Sequence, residues 1–226
     1  MVKAIFHWSG GKDSALALLQ TRSSYDIRYL LTTFSETTRR VSMHGVREVL
    51  LDLQAAAIGI PLRKVILPQA ASVEIYDDCI AKALGDLTGI NTAVYGDIFL
   101  QDLRTYRENA LQKLGWEAVF PLWERPTRPL LLDFIDRGFK AVVVCVDGAR
   151  LDASFAGRML DRAFLDALPP DVDPCGENGE FHSFVFDGPL FRGALSFHIG
   201  EIVCRSYPGA PPGHPGFFFC DLVPGS

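Results

Sequence analysis

Hydrophobic and polar positions follow two alternating rhythms along the first 120 residues. Short apolar runs at 4–8 (AIFHW), 28–34 (RYLLTTF), 62–68 (LRKVILP), 92–96 (TAVYG) and 117–121 (EAVFP) predict buried strands. Between them, apolar residues recur at helical spacing. Ala15, Leu16, Leu18 and Leu19 do so within 13–20, and Val46, Val49, Leu50, Leu53 and Ala57 within 46–58, where the pattern stops at Gly59 before Pro61. Two further helices are predicted at 72–87 and at 102–114, the second closed by Gly115. Strand, helix, strand repeated in this way predicts an α/β, Rossmann-like fold: an open, mostly parallel sheet with helices on both faces.

From Pro121 the rhythm changes. PLWERPTRP places three prolines in nine residues, which predicts a boundary between two units, 1–122 and 123–226. Beyond it the pattern predicts a helix at 130–137, a strand at 140–147 (KAVVVCVD), a helix near 155–168, and then a glycine- and proline-rich region holding GEFHSFVF and ALSFHIGEIV. This second half reads as a smaller α+β domain. No internal repeat or low-complexity segment interrupts the chain.

Composition narrows the partners. With 226 residues and 48% hydrophobic positions the chain can bury a sizeable core. Its net charge of -5 is dispersed, Arg39-Arg40 is the densest basic run, and no stretch interleaves basic and aromatic residues, which disfavours a nucleic-acid partner. No apolar run reaches the length of a membrane span, and the N-terminus runs into a polar turn rather than a signal core, so a cytoplasmic protein is expected. The five cysteines are scattered and form no C-x-x-C pair. They read as thiols in a reducing compartment.

The candidate chemistry starts at the end of the first strand, where Ser9, Gly10, Gly11, Lys12, Asp13 and Ser14 turn the chain into a helix. Two adjacent glycines let an anion approach the main chain, and the helix N-terminus adds partial positive charge. Lys12 contributes a full charge, and Ser9 and Ser14 contribute hydroxyl donors. The spacing is not that of the Walker loop. A plain strand-to-helix turn is the competing reading, and the coincidence of strand, glycines, lysine and hydroxyls favours a phosphate site.

SGGKDS after the first strand resembles the pyrophosphate loop of the N-type ATP pyrophosphatases, also called adenine nucleotide alpha hydrolases. DPCGENGEFHSFVFDGP at 173–189 is similar to the signature of diphthine-ammonia ligases (diphthamide synthases), and GDIFL at 96–100 extends the resemblance over most of the chain. The resemblance implies an adenine nucleotide alpha hydrolase-like fold and the use of ATP and Mg²⁺. It implies that a carboxylate is adenylated, that pyrophosphate is released, and that ammonia displaces AMP to leave an amide. The implied partners are ATP, ammonium and a carboxylate acceptor, either diphthine on an elongation factor or a small metabolite.

The resemblance also orders the site. Ser9 to Ser14, with Thr33 and Phe34 at the end of the second strand and Gly96 and Asp97 at the end of the fourth, are the expected nucleotide contacts. Asp97 is a Mg²⁺ or ribose contact in this reading and a helix cap in the plainer one. Lys12 is expected to act on the departing pyrophosphate. Glu180 or His182 is expected to be the base, with Glu177 and Asn178 positioning ammonium or substrate, although GENGE as a surface turn is the alternative. Arg104 and Glu108 are either acceptor contacts or an i, i+4 surface pair. No metal-ligating residue is assigned.

The chain departs from the diphthine pattern at Leu100, Asp102, Leu103 and Tyr106, in the segment 43–45 (MHG), and at Phe181 and Ser183, which leaves the acceptor open. Two rival functions remain: a nucleotide-binding regulatory module without turnover, and sulfur transfer to tRNA. The second needs an activated cysteine, and only Cys175 adjoins a motif.

Overall fold

Strands β1 (Val2–His7), β2 (Tyr25–Ser35), β3 (Leu62–Leu67), β4 (Thr92–Val94) and β5 (Glu117–Val119) form one sheet in the order β3-β2-β1-β4-β5, with every pairing parallel. This is a computed structural model, and it describes residues 1–206 and 211–225. Helices α1 (Lys12–Thr21), α2 (Glu48–Ile58), α3 (Val73–Gly85) and α4 (Gln101–Gln112) connect the strands. The strand period of two decides which helices lie on which face. Ala4, Phe6, Leu30 and Phe34 pack with α1 and α2 in one core, whereas Ile5, Leu31 and Val65 pack with Ile80, Leu84 and Leu111 of α3 and α4 in another. The connection from β3 to β4 crosses the sheet, so chain direction reverses beside β1. Ligands of open parallel sheets bind outside the strand ends at such a switch point.

The second half adds α5 (Thr127–Asp136), β6 (Lys140–Asp147), α6 (Arg162–Ala167), β7 (Phe181–Asp187), β8 (Phe197–Arg205) and β9 (Phe217–Pro224). Its strands form an antiparallel sheet ordered β7-β6-β9-β8. The helix expected near 155–168 is shorter than its pattern. A single 3-10 turn at Ala153–Phe155 is followed by Gly157 in the left-handed region (φ 83) and a bridge from Met159 to Val142. Only then does Asp161 cap α6, accepting from the Phe164 N–H at 2.8 Å. The apolar spacing there reflects packing onto β6 rather than a continuous helix.

The two sheets share one apolar core on the α1 and α2 side, which runs from Phe6 and Leu50 to Phe184 and Leu222. Gln54, fully buried on α2, ties this core together. It accepts from Trp8 Nε1 at 2.8 Å and donates to the carbonyls of Gly10 (3.0 Å) and Val185 (2.6 Å). Gly10 has φ 81, and a Cβ there would lie 2.8 Å from Gln54 Oε1. The turn therefore needs glycine for both conformation and space. Among the described residues no helix is long and apolar enough to cross a membrane.

Candidate active site at the strand ends

The C-terminal ends of β1, β2 and β4 open into a cleft of about 420 Å³, closed on its far side by the segment 175–183 and by the loop holding His44. Ser9, Gly11, Lys12, Asp13 and Ser14 line it, as do Thr33, Gly96, Asp97, Glu177 and His182. Gly10 lies behind the wall on Gln54, and Phe34 is fully buried in the core. A strand's alternation explains the latter, because a cleft-facing Thr33 turns Phe34 to the opposite face.

The turn is organised by hydroxyls. Ser9 and Ser14 share a hydrogen bond at 2.8 Å, Ser9 Oγ accepts from the Gly11 N–H at 3.2 Å, and Ser183 Oγ of β7 accepts from the Lys12 N–H at 3.1 Å. These amides and hydroxyls gather at the N-terminus of α1, a geometry that suits an anion. The Lys12 ammonium is 2.7 Å from Asp13 and stands over the Phe181 ring at 5.1 Å. Burial works against its charge, but Asp13 outweighs it and holds the ammonium protonated; burial pushes the Asp13 carboxyl up despite the lysine. Gly96 lies against this turn, where a Cβ would come within 3.0 Å of the Asp13 and Ser14 backbone.

Two histidines face the turn from opposite halves. The rings of His44 and His182 lie 4.5 Å apart at 31°, and His44 Nδ1 is 3.4 Å from the Ser183 carbonyl. Burial, with the Lys12 charge, pushes His44 down to about 4; burial, then His44 and Lys12, pushes His182 well below its usual range. Both are neutral at physiological pH. The loop carrying His44 is strapped to β9, where Asp221 accepts from Arg40 at 2.7 Å and from Arg47 at 2.6 and 3.0 Å.

The GENGE cluster divides. Glu177 lines the cleft and accepts from the Ile98 and Phe99 amides at 2.7 and 3.4 Å, so it holds the segment between β4 and α4. Burial and the nearby Asp13 charge push its carboxyl up to about 7. Glu180 is 2% exposed and turned away from the cleft. Its carboxylate accepts from the amides of Asp173 and Asn178 and from the Asn178 side chain, all at 3.0 Å. This corrects its expected role as a base, because the carboxylate is already consumed in folding the 173–180 turn. Asn178 serves the same turn.

Arg104 and Glu108 are also displaced from their expected role. They pair with each other at 2.8 Å, and the Arg104 guanidinium stacks on Trp123 and Phe120, outside the cleft wall. The guanidinium that does line the cleft is Arg107, one turn further along α4. It lies over the Tyr95 ring at 4.3 Å, and its Nη2 donates to Asp97 Oδ1 at 3.2 Å. Its Nε is 2.8 Å from Asp97 Oδ2 but off the hydrogen-bond direction, so both buried atoms lack a hydrogen-bond partner. His7, Tyr76 and Tyr95 complete this wall, with Tyr95 Oη 3.0 Å from His7 Nε2. Burial, then the Arg107 charge, pushes His7 down to about 3.

Residues 2–118 match the family model of the diphthamide synthase N-terminal domain, and residues 126–207 that of the diphthamide synthase C-terminal domain. Human diphthine--ammonia ligase is 26% identical over 223 residues, covering 88% of this chain and 84% of the human protein. The mouse protein of that name is 24% identical over 226 residues, with the same coverage. The Schizosaccharomyces pombe protein is 30% identical over 125 residues, 54% of this chain and 20% of the yeast one. A solved structure from Methanocaldococcus jannaschii, titled a "predicted subunit of tRNA methyltransferase", superposes with a TM-score of 0.45 at 13% identity over 84% of this chain and 98% of its own. With both models matched in order along the chain, this protein belongs to the diphthamide synthase family.

Proposed function

We propose that the protein is an ATP-dependent, AMP-forming ligase that joins a carboxylate to ammonia. Residues 1–122 are assigned as the ATP-binding unit and 123–226 as the substrate unit. The observation that carries the reading is the buried Lys12 ammonium at the N-terminus of α1, in a cleft that continues past Thr33 on one side and Asp97 on the other. Family membership supports the reaction class, since the relatives are named diphthine--ammonia ligases.

In this reading the adenine lies toward Thr33 and the phosphates on 9–14. An oxygen of the acceptor carboxylate attacks the α-phosphorus, and the bond to the bridging oxygen breaks with its electron pair leaving on pyrophosphate. Lys12 and the first-turn amides receive the charge that grows there. Ammonia then attacks the acyl carbon. The neutral His182, which lines the cleft, takes a proton from the new C–N centre as AMP departs. Cys175 gives no support to sulfur transfer: burial pushes its thiol up, and its Sγ donates to the Thr127 carbonyl at 3.3 Å.

Mg²⁺ accompanies ATP in this family's chemistry, and the donor set fits it modestly. Among the described residues no three metal-ligating side chains gather, so such an ion would be held mainly by phosphate oxygens. Asp13 and Glu177 would hold it from the protein side, because both carboxylates line the cleft beside the 9–14 turn. The bound ion would shield the charge of the phosphates.

The test is product analysis with Mg²⁺-ATP and ammonium, with and without diphthine-bearing elongation factor or a pool of small carboxylates. The proposal expects AMP and pyrophosphate in the presence of an acceptor, and a fall of about 100-fold or more in Lys12→Ala assayed below its own melting temperature. ADP as product would refute it. ATP binding without any turnover would instead favour a regulatory nucleotide-binding module.

A further inference from the structure

The rings of His44 and His182 meet over the 9–14 turn, and only His182 has a part in the steps above. His44 comes from the loop between β2 and α2 and His182 from β7, so the pair joins the two halves of the chain. A Cβ on Gly11 would lie 3.1 Å from His44 Cε1, which sets that ring against the turn. Both rings line the cleft. His44 Nδ1 is 3.4 Å from the Ser183 carbonyl, and a carbonyl only accepts, so this contact puts the proton on Nδ1 and leaves the lone pair on Nε2. Neither ring nitrogen of His182 has a hydrogen-bond partner among the described residues.

An imidazole fixed through one nitrogen by a backbone acceptor, with the other left free, is held as metal-bound histidines are held. Two imidazoles ligating one ion at about 2.0–2.1 Å have ring centroids roughly 4.5–5 Å apart. The His44–His182 separation is 4.5 Å. We propose that His44 and His182 form a binding site for one divalent transition-metal ion, of the Zn²⁺ or Co²⁺ class, separate from the Mg²⁺ of the nucleotide. Nitrogen ligands favour such ions, whereas Mg²⁺ prefers oxygen. The Lys12 ammonium opposes a cation nearby, but Asp13 pairs with it at 2.7 Å and Glu177 adds a second carboxylate to the same cleft. His7 is engaged by Tyr95 and His214 by Asp147, so neither offers a rival pair. With two histidines bound, the ion's other positions face the cleft and take water.

A neutral imidazole has one lone-pair nitrogen, so an ion held here takes the group that the ligase reading gives to the base. The ion therefore inhibits amide formation. That consequence rests on the ligase reading; the site itself does not.

Titration with Co²⁺ and Zn²⁺ in millimolar Mg²⁺ tests the site without turnover, using the full chain free of any affinity tag and carrying Cys204→Ser to remove the exposed thiol. One ion is expected per chain, with a Co²⁺ visible spectrum of nitrogen and oxygen ligation and no thiolate charge-transfer band. His44→Gln and His182→Gln are each expected to lose about tenfold or more of the affinity, and either decides the matter where the other does not fold. No binding at sub-millimolar concentration, displacement by Mg²⁺, a thiolate band, or unchanged affinity in the folded variants would overturn the proposal.

With Mg²⁺-ATP, ammonium and an acceptor, free Zn²⁺ buffered at a saturating level is expected to lower AMP release by about tenfold or more, and a chelator to restore it. Binding that needs both histidines, together with undiminished AMP release, would keep the site and remove His182 as the base. Such binding with no AMP release in any metal state would keep the site and remove the ligase reading.

Discussion

The backbone N–H of Lys12 donates to the hydroxyl of Ser183 at 3.1 Å, although 171 residues separate the two in sequence. The turn at 9–14 is therefore completed by β7 of the second half, and neither half holds it in this form alone. Ser183 is 2% exposed, so the bond lies at the sheltered base of the cleft.

Ser183→Ala tests this. It leaves the Lys12 amide buried without an acceptor, a cost of about 1–3 kcal/mol, which is a fall of roughly 2–12 °C in melting temperature for a chain of this size. A phosphate oxygen can take the same amide, so Mg²⁺-ATP should recover more of the melting temperature in the variant than it adds to the parent protein. Thermal melts with and without nucleotide read this directly, and an equal ATP shift in both proteins would break the link between Ser183 and the phosphate site.

Much of this arrangement was legible in the sequence because it is local. The turn 9–14, the order of the first nine elements and the open parallel sheet all follow from hydrophobic period and turn chemistry within a few residues. The failures are those of facing. Helix α4 has one fully buried residue, Leu111, so its polar stripe does not reveal whether Arg104 or Arg107 looks into the cleft. Glu180 belongs to a polar cluster that suits either catalysis or a turn, and only the burial of its carboxylate under three donors decides between them. Phe34 is different, for alternation along β2 was enough to send it into the core once Thr33 was assigned to the cleft. His44 carried no decisive signal, since its meeting with His182 depends on the Asp221 strap.

That strap yields a second prediction. Asp221 receives three charge-assisted hydrogen bonds from Arg40 and Arg47, and Gly45 lies against Phe219, where a Cβ would come within 2.6 Å of the ring. Asp221→Ala should free the 40–47 segment and with it His44, raising the KM for ATP by about tenfold, which corresponds to about 1.4 kcal/mol of lost positioning. The effect on kcat should be smaller, because Lys12 and His182 stay in place. Steady-state kinetics separates the two, and a change confined to kcat would assign the strap to chemistry instead of binding.

Gln54 supports a prediction about stability alone. Replacing it with Leu strands the Trp8 indole N–H and takes the side-chain donor from the carbonyls of Val185 and Gly10, the latter keeping the Val185 N–H at 2.9 Å. Each buried polar group left unpaired costs about 1–3 kcal/mol. With partial relaxation the loss should be about 3 kcal/mol or more, near 6–12 °C in melting temperature. Gln54→Glu keeps the acceptor for Trp8 but loses both donors at neutral pH, so it should be no better than Leu. Chemical denaturation of the two variants checks the order.

The pH dependence of folding follows from the buried histidines. An unfolded imidazole titrates near 6.5, whereas His7 and His44 are held to about 3 and about 4 and His182 lies well below its ordinary value, in each case chiefly by burial. Between those values the unfolded chain binds protons at three histidines that the folded chain refuses, against one that the fold takes up at Glu177, so stability falls as pH drops from about 7 toward 4. Asp221 acts in a lower window. Its arginine partners hold it at about 2 against an ordinary 3.8, so the stability it contributes is complete above about 4 and is lost as pH falls through 2. Melting temperatures should therefore decline in two steps. His182→Asn should flatten the upper step and leave the lower one, while Asp221→Asn should do the opposite. A single transition governed only by carboxylates, unchanged in His182→Asn, would mean that the histidines are solvated and cationic in the fold. That would also remove His182 as the neutral base of amide formation.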